Sequence, residues 1–206
     1  MKNLVFMSLG YEIREKYGYT NKYFVSTEEK NSFYHNITID STLSRSIFQY
    51  ESFRNQTIET FSIIKDYKRA KKIWENIALI DSNFNKEDFS IYLYNIRTDD
   101  KERLQKIEYF KKNKDRLLLL AEVQDIIILG YDVATFDTLD NNWYSELCNE
   151  GFNKNDIEAR YGLLNSYSLF EDISGAELFF RDLSNTDSEA GQTFIVQICS
   201  VSDNRP

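Results

Sequence analysis

Asp125-Ile126-Ile127-Ile128-Leu129-Gly130-Tyr131-Asp132-Val133-Ala134 is the stretch whose reading decides the fold. β-branched side chains dominate it, and such side chains fit a pleated strand better than a helix. The apolar run is short and has no polar face. It therefore reads as a buried strand whose C-terminal end carries Asp132. A second run of the same texture, Thr193-Phe194-Ile195-Val196-Gln197-Ile198-Cys199-Ser200-Val201, reads as a strand lying against 125–134 at the centre of a sheet.

Between these two runs the pattern is helical. A helix fits Trp143 to Glu150, with Asp140 or Asn141 as cap and Gly151 just past its end. A second fits Ile157 to Leu164, and a third fits Gly175 to Leu183, capped by Ser174 or Asp172. Residues 119–206 thus form a strand–helices–strand unit.

Residues 1–118 read differently. Tyr11 to Tyr17 fits a short helix, and 22–40 alternates loosely as a strand or hairpin. From 44 to 80, Ile47, Tyr50, Phe53, Ile58, Phe61, Ile64, Ala70, Ile73, Trp74 and Ile77 fall at helical spacing. Lys65, Lys68, Arg69, Lys71 and Lys72 take the polar side. Asp81-Ser82-Asn83 reads as a stop and a new cap. A helix is predicted through Phe89, Tyr92, Leu93 and Ile96, and another after Thr98-Asp99-Asp100 through Leu104, Ile107 and Phe110. The expected class is α+β, one domain over 1–206. A mostly helical N-terminal part would pack with a small sheet that includes strands near 125–134 and 193–201.

The charge divides at the same place. Of 25 Lys+Arg and 33 Asp+Glu, residues 1–118 hold 21 bases and 17 acids, a balance of +4. Residues 119–206 hold Lys154, Arg160, Arg181 and Arg205 against 16 acids, a balance of −12. An acidic half argues against nucleic acid as its partner and suits a basic protein, because the field steers the approach of opposite charge. A net charge of −8 also serves solubility. With 42% apolar residues the chain is expected to fold, and no run is long enough to span a membrane. The N-terminal apolar run is too brief for a secretory signal. Cys148 and Cys199 read as reduced thiols of a cytoplasmic protein, with a single bridge between them as the alternative.

No motif for catalysis stands out. His35 is the only histidine and lies far from either cysteine, which fits neither a nucleophilic dyad nor a zinc site. The seven glycines stand singly, so no phosphate-cradling loop is present. No cofactor is expected. Carboxylates are what remain. Asp132 with Asp137 or Asp140, along a strand end and its loop, would suit a hydrolase, metal-dependent or not. Elsewhere in the acidic part, aromatic residues interleave with acids. Asp137, Asp140, Trp143, Glu146, Glu150, Asp156, Glu158, Glu171 and Asp172 form the candidate partner-binding set.

One resemblance joins these readings. Leu129-Gly130-Tyr131-Asp132-Val133-Ala134, Trp143-Tyr144-Ser145-Glu146-Leu147-Cys148-Asn149-Glu150-Gly151, Leu163-Leu164-Asn165-Ser166-Tyr167-Ser168-Leu169-Phe170 and the closing strand from Phe194 to Val196 resemble immunity proteins of bacterial contact-dependent growth inhibition and related toxin systems. The resemblance stops short of residues 1–120 and carries no catalytic or metal motif. It implies a non-enzymatic cytoplasmic protein specific for one cognate toxin domain. Such families diverge too fast for their binding residues to be carried over. Joined to the charge pattern, it gives the expectation of a protein that neutralises a basic toxin domain, such as a nuclease, through its acidic surface. The alternative is the carboxylate hydrolase.

Overall fold

The computed structural model describes residues 6–15, 67–75, 89–112, 126–138, 142–148, 154–186 and 192–201. The β reading of 22–40, the helical reading of 44–66 and 76–80, and the cap at 81–83 lie outside them, as do His35, Asp140 and Glu150.

Five strands make one antiparallel sheet. They are β1 (Phe6–Glu15), β2 (Phe89–Arg97), β3 (Ile126–Asp137), β4 (Asn142–Ser145) and β5 (Thr193–Val201). Their order across the sheet is β1-β2-β5-β3-β4. The two runs read as central strands do pair with each other, Ile126 opposite Val201 through Thr135 opposite Thr193. The class is α+β. Because β5 sits between β2 and β3, strands from both halves of the chain share the sheet.

Several local readings are corrected. Phe89–Arg97 is a strand, not a helix. Its buried residues fall on both faces, Ile91, Leu93 and Asn95 on one and Tyr92 and Ile96 on the other. A strand covered on both sides has a continuous apolar run, and such a run satisfies helical spacing by accident. The segment from Tyr11 continues β1 to Glu15 instead of turning into a helix. β3 runs on to Asp137, so Asp132 is mid-strand and not at its end. Trp143 opens no helix: it lies in β4, opposite Phe136, and a short 3-10 turn follows at Glu146–Cys148.

Helices cover both faces of the sheet. On one face Met7, Leu9, Tyr92, Ile96, Ala134, Phe136, Phe194, Val196 and Ile198 form a core. Leu104 of α2 (Lys101–Leu104), Ile107, and Phe110 of α3 (Glu108–Lys112) complete it, with the Phe110 and Phe136 rings 4.9 Å apart. On the other face Val133 and Ile195 meet Ile157 and Tyr161 of α4 (Lys154–Tyr161) and Ala176 and Phe179 of α5 (Ile173–Thr186). α1 (Tyr67–Glu75) packs on β1 and β2, with Tyr67 against Tyr11. The exposed Lys68 and Lys72 lie on its outer side, as the stripe predicts. Arg103 ties α2 to the C-terminal part. Its guanidinium lies over Phe180 (5.4 Å) and Phe194 (5.0 Å), bonds Asp100 at 2.7 Å and donates to the Thr193 carbonyl at 2.9 Å.

Two glycines allow close approach. A Cβ at Gly130 would sit 2.7 Å from Leu169 Cβ and 2.8 Å from the Phe170 carbonyl oxygen, where the loop after α4 crosses β3. A Cβ at Gly175 would sit 2.5 Å from the Tyr161 carbonyl oxygen, where α5 starts against the end of α4. Of the two caps read for α5, Asp172 is the one used. Its Oδ1 accepts the backbone N–H of Ser174 (2.8 Å) and of Gly175 (3.3 Å).

Candidate functional site

The acidic set separates into carboxylates used inside the fold and carboxylates turned outward. Glu146 is half-buried, and its carboxylate accepts the hydroxyl of Thr135, which also contacts Thr193 Oγ1 at 2.7 Å. Glu158 is half-buried, accepts the backbone N–H of Leu164 at 3.0 Å and pairs with Lys154 at 3.7 Å. Asp172 is exposed but caps α5, and hydrogen bonds from Ser174 and Gly175 hold its carboxyl below the ordinary range. Asp156 and Glu171 are exposed.

The structure draws three of these residues together. Glu158 bonds the backbone of Leu164, and the Glu171 N–H donates to the Leu163 carbonyl at 3.3 Å. Glu158, Glu171 and Asp172 therefore lie at the junction of α4 and α5, while Asp156 stands in the first turn of α4. Glu146 is anchored instead to Thr135 in β3. Asp137 ends β3 opposite Asn142, and Trp143 lies in β4; only their backbones are described. Asp140 and Glu150 lie outside the described residues.

Asp132 occupies a different environment from the one that a strand-end site would give it. It is 5% exposed, within the sheet. Its Oδ1 accepts the Val133 N–H and the Ser145 hydroxyl, each at 2.8 Å. Burial pushes its carboxyl up to about 7, against the lowering effect of those two hydrogen bonds, and the nearby Glu146 charge adds to the rise. Its Oδ1 joins β3 to β4 through Ser145. Among the described residues no group of three His, Cys, Asp or Glu gathers as a metal site would require.

A polar row was not foreseen from the sequence. Ser8, Asn95, Gln197 and Tyr131 stand opposite one another across β1, β2, β5 and β3. Asn95 Nδ2 donates to Gln197 Oε1 at 3.1 Å, and Gln197 Nε2 donates to Tyr131 Oη at 3.4 Å. The Cys199 thiol, free and buried, lies 3.7 Å from Gln197 Oε1, and burial pushes its pKa up to about 11. Phe6 and Tyr131 bring their rings to 6.1 Å from β1 and β3, above the strands between them. The signal was present: Asn95 and Gln197 are the polar residues that interrupt the runs Ile91–Ile96 and Phe194–Cys199. A row of paired amides in a core fixes strand register, since a slip would leave each of them unsatisfied.

No protein-family model, curated protein or solved structure matches this chain. Among the described residues no helix is long and apolar enough to cross a membrane.

Proposed function

We propose that the chain is an immunity protein that binds and neutralises a cognate toxin domain, a basic one such as a nuclease, through the acidic surface of residues 132–172. The observation that carries this reading is the excess of acids over bases in the described part of 126–172, with Glu171 exposed at the α4–α5 junction. Across the described part of 126–172 there are seven carboxylates, and the cations are Lys154 and Arg160. Lys154 is paired with Glu158, and the four acids and two bases of 154–172 leave a balance of −2 there. A surface of this sign speeds the encounter with a cationic domain and disfavours acidic competitors. In this reading the exposed Asp156 and Glu171 meet the partner. Glu146, Glu158 and Asp172 shape the surface while serving the fold.

The test begins with gene order. A large secreted protein encoded immediately upstream would supply a variable C-terminal domain. That domain should kill cells lacking this chain, and it should co-purify with the chain when both are present. A domain that stays unbound, and stays toxic in cells making the chain, overturns the reading.

A further inference from the structure

The outer edge of β3 is covered unevenly. β4 pairs with its last residues, Ala134 to Asp137. The loop after α4 covers its middle. Asn165 Nδ2 donates to the Leu129 carbonyl at 2.6 Å, and Tyr131 and Phe170 exchange backbone hydrogen bonds at 3.0 and 2.9 Å. At Ile126, Ile127 and Ile128 no described residue pairs with that edge. These side chains are 39, 60 and 53% exposed. Leu163, 66% exposed, belongs to the covering loop and is joined to Glu171 by a backbone hydrogen bond.

An open strand edge is a template for pairing with another chain, and proteins commonly guard such edges with lysine or proline. Here three consecutive β-branched residues stand there with neither. Contiguous exposed apolar surface marks an interaction site more often than scattered apolar residues do. The charge beside it sets the sign of the occupant. The Tyr131–Phe170 bridge is antiparallel, so the chain leaving Phe170 heads toward the isoleucine end of β3. That direction puts the exposed Glu171 on the isoleucine side of the bridge.

We propose that Ile126–Ile128 form a strand-docking edge that takes an extended segment of a basic protein partner, its apolar side chains meeting the isoleucines and its cations meeting Glu171. The proposal takes the sign of its partner from the acidic-surface reading above and adds the mode of engagement, strand addition to a sheet edge. A second copy of this chain suits the edge less well. It would bring a like net charge of −8 and set one Glu171 near another.

The probe is a synthetic peptide of alternating valine and threonine with lysines at both ends, titrated into the isotope-labelled full chain. Amide signals of Ile126–Ile128 should shift and their exchange should slow. Ile127→Lys and Glu171→Lys, both at exposed positions, should each weaken binding by roughly tenfold, and Ile127→Val should keep it. A peptide with glutamates at its ends should leave the signals in place. Lysine-ended peptide that moves none of these amides, or that binds both lysine variants as well as the natural chain, overturns the proposal. So does a concentration-dependent dimer of the chain that Ile127→Lys abolishes, which would give the edge to a second copy. The immunity reading is judged apart from this, by the toxin domain. A chain that shifts with the peptide yet binds no toxin domain loses that reading and keeps the docking edge.

Discussion

A carboxyl group at Asp132 gives up most of its hydration when the sheet closes over it, and the two hydrogen bonds it gains replace that only in part. Its pKa rises from the ordinary 3.8 to about 7, so the folded chain holds the proton more tightly than the unfolded chain does. The contribution to stability is then fully present below the unfolded value. It is lost as pH rises from there through about 7, at up to about 1.4 kcal/mol per pH unit. Asp132→Asn keeps an acceptor for Val133 and Ser145 and cannot ionise. In urea unfolding it should be more stable than the natural chain near neutral pH, with the difference closing toward acid. A difference that does not change with pH would show that Asp132 ionises as readily folded as unfolded. Gly175 sets two effects against each other. Alanine is the better helix former by about 1 kcal/mol, but its Cβ would meet the Tyr161 carbonyl oxygen at 2.5 Å and Phe170 Cδ1 at 2.8 Å. Backbone oxygen in a packed junction yields little, so crowding wins. Gly175→Ala should lower the melting temperature, with a loss of roughly 1–3 kcal/mol, and a higher melting temperature would mean that α4 and α5 move apart at small cost.

At the level of elements, legibility followed burial. β3 and β5 were readable because their β-branched runs are short and bounded by polar residues. α5 was readable because Ala176, Phe179 and Leu183 fall at helical spacing and Asp172 caps it. Phe89–Arg97 has helical spacing in sequence because helices lie over both faces of the sheet and both faces of the strand are apolar, which erases the alternation that identifies a strand. The stretch expected as a helix from Trp143 to Glu150 holds a four-residue edge strand and one 3-10 turn, which together span the length of a short helix. The acidic set was visible as composition. Which acids turn inward was not, since the partners of Glu146 and Glu158 are Thr135 and the Leu164 backbone, which depend on how the β3–β4 hairpin pairs and how the chain leaves α4. The polar row extends the same point: Asn95 and Gln197 lie 102 residues apart, and only the β2–β5 pairing brings them together. Gln197→Leu would leave the Asn95 amide buried without that acceptor, at about 1–3 kcal/mol. Asn95→Leu together with Gln197→Leu should cost less than the sum of the two single changes, as measured by a double-mutant cycle in denaturant. Additive costs would mean that the two amides do not act as a pair.

For the molecule as a whole, the sheet order decides how charge is presented. Described strands of the +4 and −12 parts of the chain share one sheet, because β5 from the acidic part pairs with β2 from the other. α5 packs on β3 and β5, which ties the acidic α4–α5 junction to that sheet. Arg97 reinforces this by reaching from the end of β2 to Glu177 on α5 at 2.8 Å. A fixed negative surface acts mainly on encounter, while the contacts made after docking set how long the complex lasts. Salt separates the two. Screening shortens from about 30 Å at 0.01 M to about 8 Å at 0.15 M, so charges at the junction cease to be felt by a partner still several residue widths away. With the toxin domain described above, the association rate should fall steeply over that range, and the dissociation rate should change far less. Asp156→Lys with Glu171→Lys should lower the association rate at low salt and flatten its salt dependence, as stopped-flow mixing would measure. An association rate indifferent to both salt and the double reversal would remove the α4–α5 junction from the encounter and place the approach on an uncharged surface.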